Sequence, residues 1–599
     1  MNVSDSSANK TLKEKWSVSL AVAAFLALTL FLFAPIQIYL PNSGMFSYMF
    51  DKVLWKFLPV TLIALVLLTV LLTILPEKFK LHGKITALAL GTALLLWFQG
   101  NIILWNYGVL DGRDILWNKL AFRGIIDGLV WLLVLVFIGF KWHTIYKYAR
   151  QIALLFITIQ LIFSTVLFFQ YPAAHTAKNF TLLDESVRYQ FSSQKNIIVI
   201  IVDGFQSDLF WEITTETPAY KKAFDGFTYY RNALSGFPLT TPSIPFILTG
   251  EQYDNSIPFQ DFVEKVYFTP SSMPWILKEH GYRVDILVDC GRCFMNDKRF
   301  ISNLKEEVVP LSNSQAGYLF DLTLFRYIPH FAKRVIFNNQ NWRFKRYLHD
   351  KYDADLPALT KKSNPATGEK FSRRALEELY DVKFAADMIE TSQVTTDQNM
   401  FKFYHLKGIH APYRMNEKLD YVEMNLTRPN WKKLGQGSLK IVEIYLAELK
   451  RLNIYDNSMI FIIADHGHST GQWGLNTLPD KTAPMTNPAI VPRHIMSSAI
   501  PLILVKRFGT RGAMITSDSP VSLGDIPNTV FTELGIKGEY VGQAMFQVEP
   551  DAVRTRHFSF FTYEPGRSTG KFFPPFTPYS VTGHSWLNQS WCQKKSGEK

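Results

Sequence analysis

The sequence predicts a membrane domain of five apolar helices followed by an α/β domain with a mostly parallel sheet. Three observations predict it. The chain has 599 residues, too many for one hydrophobic core. It is 48% hydrophobic and only 19% charged, below the roughly 25% charged typical of soluble domains. The long apolar runs end near residue 170, and short apolar runs alternating with helical patterns follow them.

Five runs are long enough to cross a hydrocarbon layer of roughly 30 Å: Trp16–Leu40, Phe57–Leu75, Ile85–Trp105, Gly124–Phe140 and Ile152–Phe169. A secretory signal would be shorter and would stand alone, so the first run is expected to be retained. Lys10, Lys13 and Lys15 in the tail, Lys78, Lys80 and Lys84 in the second loop, and Lys141, Lys147 and Arg150 in the fourth loop form the more basic side. The other side carries Lys52, Lys56, Arg113, Lys119 and Arg123, offset by Asp51, Asp111 and Asp114. Basic loops stay cytoplasmic, so everything after Phe169 is expected on the outer side of a cytoplasmic membrane. An outer domain meets no cytosolic ATP, which argues against a kinase, and no nucleic acid, so the net charge of +12 points elsewhere. Asp127, inside the fourth run, is expected to face a lipid headgroup or to snorkel.

Residues 1–170 are thus a transmembrane domain, 171–195 a connector, 196–545 the α/β domain and 546–599 a C-terminal strand and cover. The run Asn196–Val202 is apolar at every position, as in a central parallel strand covered on both faces. Similar runs recur at Tyr282–Val288, Phe401–Leu406, Met459–Ile463 and Ile500–Val505. Helical patterns lie between and after them at Trp275–His280, Arg374–Glu390, Leu439–Leu452 and Ile526–Leu534. The basic, aromatic stretch Arg334–Arg374 reads as an insertion near the membrane surface, or as a solvated basic face. His557–Thr562 reads as a last antiparallel strand. Cys290 and Cys293 are expected to be a structural bridge or idle thiols, with Cys592 apart.

Reactive residues stand where strands end, and the ligand site of such a sheet lies beyond those ends. Asp203-Gly204 follows the first strand. The strand from Met459 ends in Asp465-His466-Gly467-His468, and the strand from Phe401 ends in His405-Leu406-Lys407-Gly408-Ile409-His410-Ala411-Pro412. Carboxylates and imidazoles converging on one sheet edge suit a divalent metal, zinc or manganese. In Leu239-Thr240-Thr241-Pro242-Ser243, Pro242 can open a helix, leaving the two threonines at an N-terminus that favours anions. Contact with a metal turns a threonine hydroxyl into a usable nucleophile. Gly566-Arg-Ser568-Thr-Gly570 matches a nucleophile-elbow pattern, but Phe-Phe-Pro-Pro follows it where a helix is required.

The ordered set Val202-Asp203-Gly204, Thr240-Thr241-Pro242-Ser243 with Leu248-Thr249-Gly250, Asp465-His466-Gly467, and Ser522 through Ile536 resembles the sulfatase and alkaline phosphatase superfamily. Sulfatases carry Cys-x-Pro-Ser-Arg before Leu-Thr-Gly; here Thr240 takes the Cys position and Ile244 the Arg position. Five spans, an outer domain and a threonine are similar to lipid A phosphoethanolamine transferases and lipoteichoic acid synthases. The resemblance implies Thr240 as nucleophile and as metal ligand beside Asp203, Asp465 and His466. It gives His410 a role at the substrate or leaving group. Thr241, Lys407, His468 and, with Arg493, His494 are then expected to contact substrate. Asp203 departs from the usual Glu of those transferases and matches nucleotide pyrophosphatases. Leu406, where a second zinc would need Asp, implies a single metal.

The expected activity is that of a monomeric inner-membrane enzyme. It would move a phospho-headgroup, phosphoethanolamine or phosphoglycerol in type, from a membrane phospholipid donor to an exported glycan or lipid acceptor. Two alternatives accompany it: a hydrolase of sulfate or phosphate esters, and a lipid-sensing regulator with a retired site.

Overall fold

The structure, a computed structural model, describes residues 3–46, 48–107, 115, 117–174, 180–288, 290–307, 311–338, 341–348, 370–425, 427–468, 491–564, 568 and 570–593. It forms two compact units, one of Met1–Phe180 with Glu306–Asp353, the other of Thr181–Lys305 with Ala354–Lys599.

In the first unit, five helical segments are long and apolar enough to cross a membrane: Leu12–Met45, Phe50–Thr73, Lys78–Asn101, Trp117–Phe140 and Trp142–Gln170. Each begins before the apolar stretch that predicts it, because more polar residues continue the helix at that end, while the second and third stop at Thr73 and Asn101, short of the expected Leu75 and Trp105. Lipid gives no hydrophobic drive to join such helices, so buried polar pairs add to packing. The Gln160 amide donates to Thr29 (3.0 Å) and the Gln37 amide to Ser164 (3.4 Å), tying the first span to the fifth. Asp127 neither snorkels nor faces lipid. It is buried and accepts hydrogen bonds from Trp105 Nε1 (2.8 Å), Gln99 Nε2 (3.2 Å) and the His330 backbone (2.6 Å), since a carboxylate at that depth needs donors.

His330 belongs to Glu306–Asp353, which sequence reasoning leaves inside the 196–545 span and which the structure groups with the spans. This insertion carries the helices Asn313–Tyr327, His330–Ile336 and Arg343–Tyr347. Its apolar residues Leu311, Ala316 and Leu319 share a core with Ile36, Tyr39 and Phe50. Most of the stretch expected as the basic insertion, 349–369, lies outside the described residues.

The second unit is built on a seven-stranded sheet: β1 (Asn196–Val202), β2 (Phe227–Tyr230), β3 (Arg283–Leu287), β4 (Met400–Leu406), β5 (Ser458–Ile463), β6 (Ile503–Lys506) and β7 (Ile515–Ser517). Their order is β7-β2-β6-β5-β1-β4-β3. Strands β3, β4, β1 and β5 are parallel, and β6 alone runs against its neighbours. β2 and β7 add to the sheet at positions without a clear apolar run. Along β1, Ile198, Ile200 and Val202 enter one core, while Ile197, Val199 and Ile201 enter the other. That two-sided burial is why the strand has no polar face. Helices Ser207–Glu216, Tyr380–Thr391 and Arg428–Arg451 cover the first core; Thr240–Thr249, Met273–Glu279 and Ile526–Leu534 cover the second.

The C-terminal residues form a separate antiparallel sheet of Thr555–Phe560, Thr577–Thr582 and Trp591–Gln593. Cys290 and Cys293 are disulfide-bonded, and Cys592 is free and exposed.

A wholly buried ion pair lies within the sheet. Lys402 on β4 meets Asp285 on β3 at 2.9 Å with both side chains buried, and its ammonium also donates to the Val187 carbonyl (2.8 Å). Asp285 accepts from Arg283 Nε as well, at 3.0 Å. Breaking a buried pair costs up to about 3–5 kcal/mol, and here Arg283 keeps part of the compensation. Lys402→Ala is expected to lose less than that in urea unfolding followed by tryptophan fluorescence, and Lys402→Ala with Arg283→Ala to lose more than the sum of the two single variants.

Candidate metal centre and active site

Register brings the reactive residues together. Leu406 of β4 pairs with Val202 of β1, and Ile463 of β5 pairs with Ile201, so three adjacent parallel strands stop at one level. Asp203 follows β1 directly, Asp465 stands two residues beyond β5, and His405 is the penultimate residue of β4. One ligand atom from each of these three residues lies within 4.8 Å of the other two.

His466 joins them, its Nε2 standing 3.7 Å from Asp203 Oδ1 and 3.4 Å from Asp465 Oδ2. Its Nδ1–H donates to the Gly467 carbonyl at 2.6 Å. A carbonyl can only accept, so in neutral His466 the Nε2 lone pair faces two carboxylates. His405 Nε2 stands 3.4 Å from Asp203 Oδ2. Asp203 Oδ1, Asp465 Oδ2 and His405 Nε2 are buried without a hydrogen-bond partner. Orphaned buried acceptors around one point are what a cation relieves, so these residues fit a divalent ion held by oxygen and nitrogen.

Burial alone would raise the Asp203 carboxyl, but the imidazoles of His410, His405 and His466 outweigh it and hold it below the usual carboxylate range. Burial would lower His405, yet Asp203 and Asp465 raise it; burial likewise opposes His466, which Asp465 and Asp203 raise. An ion entering here therefore competes with protons on the two imidazoles.

Backbone contacts fix the loops. Gly408 has φ +54°, and a Cβ there would stand 2.6 Å from the Asp203 nitrogen and 2.7 Å from its carbonyl oxygen, so only glycine lets the two loops touch. The Ile409 N–H donates to the Asp203 carbonyl at 2.9 Å. Asp465 Oδ1 accepts from the Gly204 and His466 backbones (3.2 and 3.1 Å), tying β5's loop to β1's. A Cβ on Gly467 would fall 1.9 Å from the Ser497 carbonyl oxygen. The Gly467 N–H reaches the Ser498 carbonyl (2.8 Å) and the Ser235 N–H the Ala499 carbonyl (2.8 Å), so one turn holds both the His466 loop and the approach to Thr240.

Sequence reasoning gives no role to two residues of the site. His405 reads as part of a buried strand, and its one signal is an imidazole in an otherwise apolar strand end. Asp381, at the start of Tyr380–Thr391, is buried and accepts the Lys407 and Gly408 N–H groups at 2.9 and 2.8 Å. It clamps the turn between His405 and His410 and has no local sequence signal.

The remaining expected residues are placed as follows. The helix begins at Thr240, with extended Leu239 as its N-cap, so Pro242 is its third residue rather than its first. Thr241 is then inside the first turn and does not cap the helix; no side-chain cap is present. Both threonines are half-buried, and among the described residues neither hydroxyl hydrogen-bonds to the cluster. His410 donates from Nδ1 to the Ala411 carbonyl (2.7 Å), which leaves Nε2 as the acceptor of its neutral form. Lys407 is exposed. His468 Nε2 is 3.0 Å from the Tyr413 hydroxyl, and its ring lies edge-on to Trp431. His494 is exposed with its ring against Phe560. The Ser568 hydroxyl is turned inward to accept from the Glu564 N–H (2.9 Å), unlike an elbow nucleophile; Gly566 lies outside the described residues.

Asp203→Asn, Asp465→Asn and His405→Ala are each expected to lose the ion while far-UV circular dichroism stays unchanged, because the two aspartates sit in loops and His405 at the end of its strand, at the edge of the core; metal analysis of the purified full-length protein checks this. Asp381→Ala leaves the buried Gly408 N–H and the part-buried Lys407 N–H unpaired, at about 1–3 kcal/mol for the buried one and less for the other. It is expected to weaken metal retention about 10-fold or more, as loss of a supporting contact does, measured by chelator competition.

Residues 195–492 match the sulfatase family model. No curated protein matches the chain. Solved structures similar to it include a phosphonate monoester hydrolase from Silicibacter pomeroyi, 15% identical over 65% of this chain and 87% of that one, with TM-score 0.37. The lipoteichoic acid synthase LtaP from Listeria monocytogenes is 12% identical over 70% and 90%, with TM-score 0.35. The C-terminal periplasmic domain of EcEptC from Escherichia coli, in complex with Zn, is 14% identical over 70% and 96%, with TM-score 0.31. The family match covers the strands and loops that build the centre, so residues 195–492 form a sulfatase-family domain, carried by a membrane-bound, sulfatase-like enzyme.

Proposed function

We propose that the protein transfers a phospho-headgroup from a membrane phospholipid to an exported glycan or lipid, passing it through an ester on Thr240. The observation that carries this reading is the orphaned acid and imidazole cluster, Asp203, His405, Asp465 and His466, in a chain that also bears five spans. The sulfatase match and the threonine at the Cys position support it.

Asp203, His405, Asp465 and His466 would hold one divalent ion, zinc or manganese. Such an ion lowers the pKa of a hydroxyl that it contacts and neutralises charge on a phosphoryl oxygen. Thr240 Oγ1 attacks the donor phosphorus and loses its proton, and the bond from phosphorus to the diacylglycerol oxygen breaks. His410, whose Nδ1 is committed to Ala411, exchanges the proton with the leaving oxygen through Nε2. An acceptor hydroxyl then reverses these steps and frees Thr240. Backbone N–H groups in the first turn of Thr240–Thr249 favour the phosphate, with Thr241, Lys407, His468 and His494 as further contacts. On this reading the more basic loops are cytoplasmic, and the unit would face the outer side of the membrane, where such acceptors are.

Hydrolysis, with water as acceptor, is the second reading, favoured by the sulfatase match itself. Formylglycine chemistry does not suit the chain, because Thr240 stands at the Cys position and Ile244, at the Arg position, is wholly buried in the core.

Intact-mass analysis of the purified protein incubated with phosphatidylethanolamine or phosphatidylglycerol is expected to show a headgroup-phosphate adduct that maps to Thr240. Thr240→Ala should lose both adduct and turnover, and Thr241→Ala should lower activity only in part. An adduct on Thr241, or full activity in Thr240→Ala, overturns the assignment.

A further inference from the structure

Within the first unit, the insertion holds the ends of three spans that all lie on one side of the five-helix array. The Arg326 guanidinium donates to the Gly100 carbonyl (2.7 Å) at the end of the third span, and the Tyr327 hydroxyl to Gln37 Oε1 (2.8 Å) near the end of the first. The His330 N–H donates to Asp127 (2.6 Å), and the His330 ring lies 3.0 Å from where a Cβ on Gly124 would be. Gly124 and Asp127 lie just inside the helix Ala121–Phe140. At 1.5 Å per residue, Asp127 is about 9 Å from its start. The first turn of His330–Ile336 is thus held at the depth of the span's own end. Trp105, Tyr107 and Trp117 surround it: Tyr107 stacks on the His330 ring and Trp117 meets it edge-on. Aromatic residues of this kind mark the membrane interface.

The outward face of that short helix is not polar. Phe331 and Val335, four residues apart, are 59% and 58% exposed, with exposed Arg334 between them. The inward face is satisfied: His330 is bound as above, buried Lys333 donates to the Phe325 and Arg326 carbonyls, and Ile336 is buried with Phe337 and Trp342. The next helix continues the pattern with exposed Tyr347 and Leu348 beside exposed Arg343 and Lys345. The span beneath, Ala121–Phe140, is itself apolar and exposed at Phe122, Ile125 and Leu129, the surface that lipid covers.

We propose that the helices His330–Ile336 and Arg343–Tyr347, with Leu348, form an interfacial element that docks on the leaflet at these span ends, with anionic phospholipid as its occupant. Phe331, Val335, Tyr347 and Leu348 enter the boundary between headgroups and acyl chains, while Arg334, Arg343 and Lys345 meet lipid phosphates. Apolar residues interleaved with cations on one face are what an in-plane membrane element requires. The inference needs only that the five helices span a bilayer. It is independent of which headgroup is transferred and of whether transfer occurs.

The test places an environment-sensitive fluorophore on Phe331→Cys in a Cys592→Ser background, in full-length protein reconstituted into vesicles. A label on Val553→Cys, a 92% exposed position in the other unit, is the control. The label at 331 should be quenched by lipid brominated near the headgroup and protected from aqueous iodide severalfold relative to the control. At equal mole fraction, brominated phosphatidylglycerol should quench it more than brominated phosphatidylcholine, and Arg334→Gln with Arg343→Gln and Lys345→Gln should remove that preference. Iodide quenching equal to the control, shielding from both quenchers as a protein partner would give, or equal quenching by the two lipids in the unmutated background each overturns the proposal. Loss of headgroup transfer in Thr240→Ala leaves this result unchanged, so the two readings fail separately.

Discussion

Two carboxylates held side by side in a buried site set the terms for the second unit. Asp203 and Asp465 are nearly inaccessible, their oxygens face Nε2 of His405 and His466, and among the described residues no hydrogen-bond donor reaches Asp203 Oδ1 or Asp465 Oδ2. Such an arrangement persists only with compensating positive charge, either protons on the imidazoles or a bound cation. The surrounding structure is organised to keep it. Three parallel strands end in register, Gly408 lets two loops touch backbone to backbone, and Asp465 ties the third loop to the first. The apolar strands supply rigidity, and the loops beyond them supply the chemistry.

How much of this was legible in the sequence follows from what each residue touches. The fully apolar Asn196–Val202 announces a central strand because both of its faces are covered, and Asp203, Asp465 and His466 are readable because they directly follow such strands. β2 and β7 are short, pair near one side of the sheet and carry mixed residues, so no period marks them. His405 is hidden because a strand residue and a ligand look alike until register aligns the strand ends. Asp381 is hidden because it acts on a loop 26 residues away, and nothing local distinguishes it from a helix-starting aspartate. Thr240 is the reverse case: no contact singles it out among the described residues, and its assignment depends on the order of motifs around it.

The helix at Thr240 shows how a local sequence rule can be right in kind and wrong in position. Proline favours the first turn of a helix because the N–H groups there have no intrahelical acceptor. That argument allows Pro242 at the first position and equally at the third. Leu239 in the extended region and the Ser243 hydroxyl on the Leu239 carbonyl (2.8 Å) settle the start at Thr240. Pro245 then removes the N–H that would have met the Thr241 carbonyl, so this proline, and not Pro242, leaves the threonine end of the helix with one internal hydrogen bond fewer than usual.

Glu306–Asp353 interrupts the α/β unit between β3 and β4, and its behaviour explains why sequence reasoning placed it only loosely. Closing a longer loop costs little more than closing a short one, so a connection at the sheet's edge strand can carry a foreign segment without strain in the core. An amphipathic helix in such a segment has the same periodicity whether its apolar side faces protein or lipid. Only the structure separates the two here. His330, Lys333 and Ile336 are buried on one side of a helix whose other side shows Phe331, Arg334 and Val335. Asp127 explains how the inner side is held: a carboxylate inside an apolar span finds one of its three donors in the insertion's own backbone. A polar residue that sequence reasoning assigned to lipid is thereby one of the contacts that fix the insertion at the level of the span ends.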